Sequence, residues 1–82
     1  MKREDVTRER LLEVLNEKLH KLEACQDCEF RKPPHRLRKP DADGCNWSEF
    51  VDVGRCRGCD PNLLAGVISW ARQRYNLLSR PD

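Results

Sequence analysis

The chain has 82 residues, 38% apolar and 37% charged, with 16 basic and 14 acidic side chains, a formal charge of +2 and a pI near 8.4. That length is one domain, of a size that buries too little apolar surface to be comfortably stable without a staple. No run reaches the length of a membrane span, and the modest charge falls short of the strongly basic footprint of a dedicated nucleic-acid binder.

The charge surplus is local. Residues 1–24 hold six basic and six acidic side chains and residues 25–60 hold seven of each, so the excess lies in Arg72, Arg74 and Arg80 against Asp82. Met1-Lys2-Arg3-Glu4-Asp5 leads into a charged helical pattern rather than an apolar export signal. Five cysteines, an odd number, with no such signal fit a reducing cytoplasm better than a disulfide framework.

Residues 5–24 read as an amphipathic helix. Asp5 or Thr7 caps its start, and Leu12, Leu15, Leu19 and Leu22 recur at 3-4-3 spacing with Leu11 and Val14 beside them. Glu4–Arg8 and Glu17–Lys21 are i,i+4 pairs for its wet face. Two heptads of leucine are too few for a convincing coiled coil, so the stripe is expected to pack on another helix of the same chain. His20 falls on its wet or boundary face.

The next stretch opens with Cys25-Gln26-Asp27-Cys28 and closes with Cys56-Arg57-Gly58-Cys59. A C-x-x-C turn puts two sulfurs on one side of a short knuckle, so two knuckles supply a tetrahedron. Thiolates select zinc over hard cations. The 27 residues between the pairs exceed the usual gap of about 15 to 20 and need structure of their own. One structural Zn²⁺ on Cys25, Cys28, Cys56 and Cys59 would contribute on the order of 10 kcal/mol to folding. Cys45 is a fifth candidate, as a substitute ligand or a buried free thiol; His35 is a weaker one. A disulfide-bonded domain and a dithiol redox pair are the competing readings of the same cysteines.

Within 29–55, Pro33-Pro34 and Pro40 exclude helix, and Pro40-Asp41-Ala42-Asp43-Gly44 is a turn. It lacks the later ligands of a calcium loop. Trp47 to Val53 is the best strand, with Phe30 and Leu37 in its partner. Arg31-Lys32-Pro33-Pro34-His35-Arg36-Leu37-Arg38-Lys39 carries five cations and no acid, and Arg55 and Arg57 flank the second knuckle. The run contains no aromatic residue, which argues against a single-strand stacking platform.

Asp60-Pro61 is a strong helix start. Leu64, Val67, Ile68, Ala71, Tyr75 and Leu78 form an apolar stripe through 61–78, Trp70 extends its edge, and Pro81 stops it. The expected fold is therefore a small zinc-stabilised α+β domain, mainly α, over residues 1–82. Helix 5–24 leads into a zinc-binding module over 25–60, with short strands, and helix 61–78 packs on the first.

A knuckle followed directly by a helix, as in Cys56-Arg57-Gly58-Cys59-Asp60-Pro61, resembles treble-clef and zinc-ribbon-like modules, whose second ligand pair opens a helix. Glu29 and Asp60 stand where those families carry a glycine. The segments Pro40-Asp41-x-Asp43-Gly44-Cys45-Asn46-Trp47-Ser48 and Ala71-Arg72-x-Arg74-Tyr75-Asn76-Leu77 also resemble small cysteine-containing proteins of bacterial and prophage genomes. That resemblance implies a bacterial or phage cytoplasmic origin and favours Cys45 as a ligand.

A site closed by four thiolates has no position for water or substrate, and no histidine-plus-carboxylate pattern accompanies it. Cys56-x-x-Cys59 opens a helix but lacks the βαβ setting of a redox motif. An enzyme and a small-molecule substrate are not expected. The leading expectation is an accessory or regulatory module, monomer or homodimer, contacting nucleic acid or the transcription machinery. Its contacts would be Arg31, Lys32, Arg36, Arg38 and Lys39, with Arg72 and Arg74 as a second patch. The alternatives are a protein–protein adaptor using the leucine face or exposed Trp47 and Trp70, and a redox sensor with Cys45 as its spare thiol.

Overall fold

The structure, a computed structural model, describes residues 3–54 and 56–78. It is a small α+β fold with two helices and one two-stranded sheet. Strand β1 (Glu4–Val6) leads into helix α1 (Arg8–His20), and helix α2 (Pro61–Arg74) leads into strand β2 (Tyr75–Leu77). The strands are parallel, pairing Glu4 with Tyr75, Asp5 with Asn76 and Val6 with Leu77. The two ends of the described chain are thus zipped together. Among the described residues no helix is long and apolar enough to cross a membrane.

Both helices are shorter than the periodicity predicts: α1 stops at His20, before the 3-10 turn at Glu23–Cys25, and the start of α1 and the end of α2 give way to strand. Thr7, not Asp5, is the cap of α1; its hydroxyl accepts from Arg10 N at 3.1 Å. The residues before it are extended, and Val6 is buried. Glu4 is therefore a strand residue rather than a helical partner of Arg8, while Glu17 lies 3.5 Å from Arg10. At the other end Tyr75 to Leu77, expected to finish the helix, form β2. Trp47 Nε1 donates to Tyr75 O, and the Asn46 side chain brackets Leu77, donating to its O and accepting from its N, both at 2.8 Å. These bonds offer the backbone a sheet-like partner that outcompetes another helical turn. Asp60 caps α2 through Asn62 N with Pro61 next, as the sequence predicts. Pro81 lies outside the described residues.

The leucine stripe is core. Leu11, Leu15 and Leu19 are fully buried, and Leu12 and Leu22 pack at its edge. Helix α1 rests on α2, whose Val67 and Ala71 are buried. Trp47, expected as an exposed adaptor residue, is completely buried, and Leu78, expected in the stripe, is exposed. Trp70 is half-buried, with Lys18 Nζ 4.8 Å and the Arg74 guanidinium 5.5 Å from its ring.

Trp47–Val53 is not a continuous strand. It runs antiparallel to residues 30–36 with bridges only at its ends, Arg36 to Trp47 and Phe30 to Val53. One register holds throughout: Leu37 N donates to Asn46 O, Ser48 N to His35 O, Arg31 N to Asp52 O and Gly54 N to Glu29 O. Pro33 and Pro34 fall in the middle and have no N–H to give, so the ladder opens there. Asn16 of α1 fastens this ribbon to the helix layer, accepting from Phe30 N at 2.8 Å and donating to Phe30 O at 3.3 Å.

Candidate metal centre

Each knuckle is set by the element beside it. After α1 a single 3-10 turn, Glu23–Cys25, carries the chain inward. Cys25 N then bonds Leu22 O, and Cys28 N bonds Cys25 O at 3.1 Å, closing the C-x-x-C turn. His20 Nε2 donates to Cys28 O at 2.8 Å. The helix end thereby holds the knuckle, a role its position on the wet face did not advertise. The second knuckle turns on Gly58, whose φ of +77° is open to glycine and strained for most other residues. It ends one residue before the Asp60 cap, so Cys59 is fixed to the start of α2.

The four cysteines converge from both ends of the 27-residue insertion. Cys28, Cys56 and Cys59 place their sulfurs within 4.8 Å of one another, a cluster that can hold a metal ion. Cys25 and Cys59, and Cys28 and Cys56, also sit at disulfide distance, with Cα–Cα separations of 4.8 and 4.2 Å. Each pair joins one knuckle to the other rather than closing within a knuckle. Whether linked by metal or by sulfur, the same contacts tie the end of α1 to the start of α2. Cys25 and Cys28 are buried, and Cys56 and Cys59 half-buried.

Cys45 belongs elsewhere. It is a free, fully buried thiol whose Sγ donates to Trp47 O at 3.7 Å, and it is not a member of the cluster. Its surroundings are the Asp41–Gly44 turn, in which Gly44 takes a φ of +88° and the Asp41 carboxylate accepts from Asp43 N and Cys45 N.

Asp41 in turn binds Arg72, one of the expected contact residues. The Arg72 guanidinium pairs with the Asp41 carboxylate, donates to Trp47 O at 3.2 and 3.3 Å, and lies 5.8 Å from the Trp47 ring centre. Burial opposes ionisation of both groups. That is the largest single effect, but their mutual hydrogen bond, the Asp43 and Cys45 N–H groups on Asp41 and the charges around Arg72 together outweigh it, holding the Asp41 carboxyl below and the Arg72 guanidinium above their usual ranges. Arg72 is thus a structural strut. Arg74 is spent on the Trp70 ring.

The basic loop is different. Arg31, Lys32, Arg36, Arg38 and Lys39 are all exposed, and among the described residues none of them is in an ion pair. Arg36 donates to Leu78 O, and the Arg31 stem packs so closely on Gly54 that a Cβ there would lie 2.5 Å from Cγ. His35 is exposed on the same loop and Arg57 on the second knuckle; Arg55 and Arg80 lie outside the described residues.

No protein-family model matches the chain, and neither a curated protein nor a solved structure matches it. The treble-clef and zinc-ribbon resemblance therefore rests on the ligand pattern alone. What the fold and the site define is a class: a small α+β domain clamped at one end by a cysteine cluster able to hold a metal ion.

Proposed function

We propose that this chain is a zinc-stabilised accessory module of a reducing compartment that contacts nucleic acid through its basic loop. Reduced Cys25, Cys28, Cys56 and Cys59 would hold one Zn²⁺, which supplies a tetrahedral cross-link in place of two S–S bonds. Three of those sulfurs, of Cys28, Cys56 and Cys59, already cluster within 4.8 Å, and Cys25, which pairs with Cys59, would have to turn its sulfur to complete the set. The cross-link matters because the segment between the knuckles has little regular structure of its own.

The observation that carries the binding reading is the state of the loop cations. Arg31, Lys32, Arg36, Arg38 and Lys39 share one exposed loop without neutralising partners among the described residues. Such a group attracts phosphates and releases their counterions. The leucine face and Trp47, which an adaptor would have used, are occupied inside the fold.

Two measurements test the reading. Native mass of the reduced protein, with and without a strong chelator, should show one zinc whose loss removes much of the far-UV circular dichroism. A metal-free chain, fully folded with both cysteine pairs oxidised, would overturn the zinc assignment. For the loop, affinity for nucleic acid should fall steeply with salt, and the slope should shrink by about 0.7 to 0.9 for each phosphate contact removed by Arg38→Glu or Lys39→Glu. Binding indifferent to both perturbations would sink it.

A further inference from the structure

The basic run has no aromatic residue, but the fold brings one to it. Phe50 is the most exposed large apolar side chain among the described residues, at 81%. It stands opposite Pro33, where the proline pair interrupts the ribbon between Arg36–Trp47 and Phe30–Val53. Phe50 N donates to Ser48 Oγ at 3.0 Å, which fixes the backbone beneath the ring. The opening forms a groove of about 400 Å³, lined by Lys32, Pro33, His35, Phe50, Val51 and Asp52.

We infer that this groove is a single-strand nucleic-acid site in which an unpaired base stacks on Phe50 while flanking phosphates meet the loop cations. The inference rests on the nucleic-acid reading above and specifies the form of nucleic acid that the loop takes. The division of chemistry supports it. The groove's lining carries one lysine against one aspartate, which is a poor trap for phosphate but a suitable slot for a flat base. Arg31 and Arg36 are the chain neighbours of Lys32 and His35 in that lining, and Arg38 and Lys39 follow on the same exposed loop, so charge that the slot lacks lies along the strand that forms it. A duplex keeps its base faces inside the stack, whereas a single strand can offer one to an exposed ring. The ribbon ends on either side are held by Arg31 N to Asp52 O and Ser48 N to His35 O, so the slot is a fixed part of the backbone.

The test is fluorescence anisotropy of the full chain with a labelled single strand about 12 nucleotides long, within the usual site size, and with its duplex. Phe50→Ala should weaken single-strand binding about 5- to 150-fold, leave duplex binding and the salt slope unchanged, and leave thermal stability near wild type because the ring is exposed. Phe50→Trp should restore binding, and its added indole emission should be quenched by the single strand. If Phe50→Ala binds as wild type while Arg38→Glu does not, stacking is wrong and the phosphate reading survives. Equal loss on single strand and duplex would also overturn stacking. If the wild type binds neither at low salt, both readings fail together.

Discussion

Asn16 is the most informative residue to remove. Its amide sits on α1 and satisfies both backbone groups of Phe30, accepting from N at 2.8 Å and donating to O at 3.3 Å. Phe30 is 1% exposed, so water has poor access to whatever the amide leaves behind. Stranding a buried donor costs about 1–3 kcal/mol, and Asn16→Ala is expected near the middle, about 2 kcal/mol. For a domain of this size that lowers the melting temperature by roughly 8–16 °C. Thermal and urea denaturation of the folded protein measure it, with Asn16→Leu alongside. Leucine restores volume but not hydrogen bonds, so it should remain nearly as destabilised as alanine. A leucine variant as stable as wild type, or an alanine variant within about 0.5 kcal/mol of it, would refute the claim that this amide joins the helix layer to the ribbon.

Three further outcomes follow from single residues. Gly66 lies inside α2 with open space where a Cβ would go, so Gly66→Ala should stabilise by about 0.5–1 kcal/mol in urea denaturation; a loss would mean that the position is crowded. The Asp41 carboxyl is held below its ordinary value of 3.8, so its contribution exists above that pH and disappears as pH falls through the depressed value. Asp41→Asn should flatten the stability–pH profile in that acid window, and an unchanged profile would show that Asp41 carries none of the slope. Cys45→Ala should leave zinc at one per chain by native mass while costing about 0.5–1.5 kcal/mol, the scale of a lost methyl-sized group in a core; loss of the metal would put Cys45 back among the ligands.

The helices were legible because their signals are local. Asp60-Pro61 and the 3-4-3 leucines announce a cap and a buried face wherever the chain ends up, and the two C-x-x-C pairs announce cysteines that meet in space. The errors lie where a distant partner decides. Glu4–Val6 and Tyr75–Leu77 have helix-compatible neighbours, yet the two segments pair with each other at opposite ends of the chain, and Tyr75 and Leu77 also bond Trp47 and Asn46. Arg72 is one cation among many in the sequence, and only the turn at Asp41 converts it to a strut.

The sequence by itself determined the two paired-cysteine knuckles and the two amphipathic helices with apolar faces to pack together, because periodicity and cysteine spacing are properties of short segments. Tertiary structure alone decided which cations remain on the surface, that Trp47 is core, and that Phe50 stands beside the basic loop. The physical reason is register. A ribbon broken at Pro33-Pro34 sets residue 50 opposite residue 33, a pairing that no local pattern encodes.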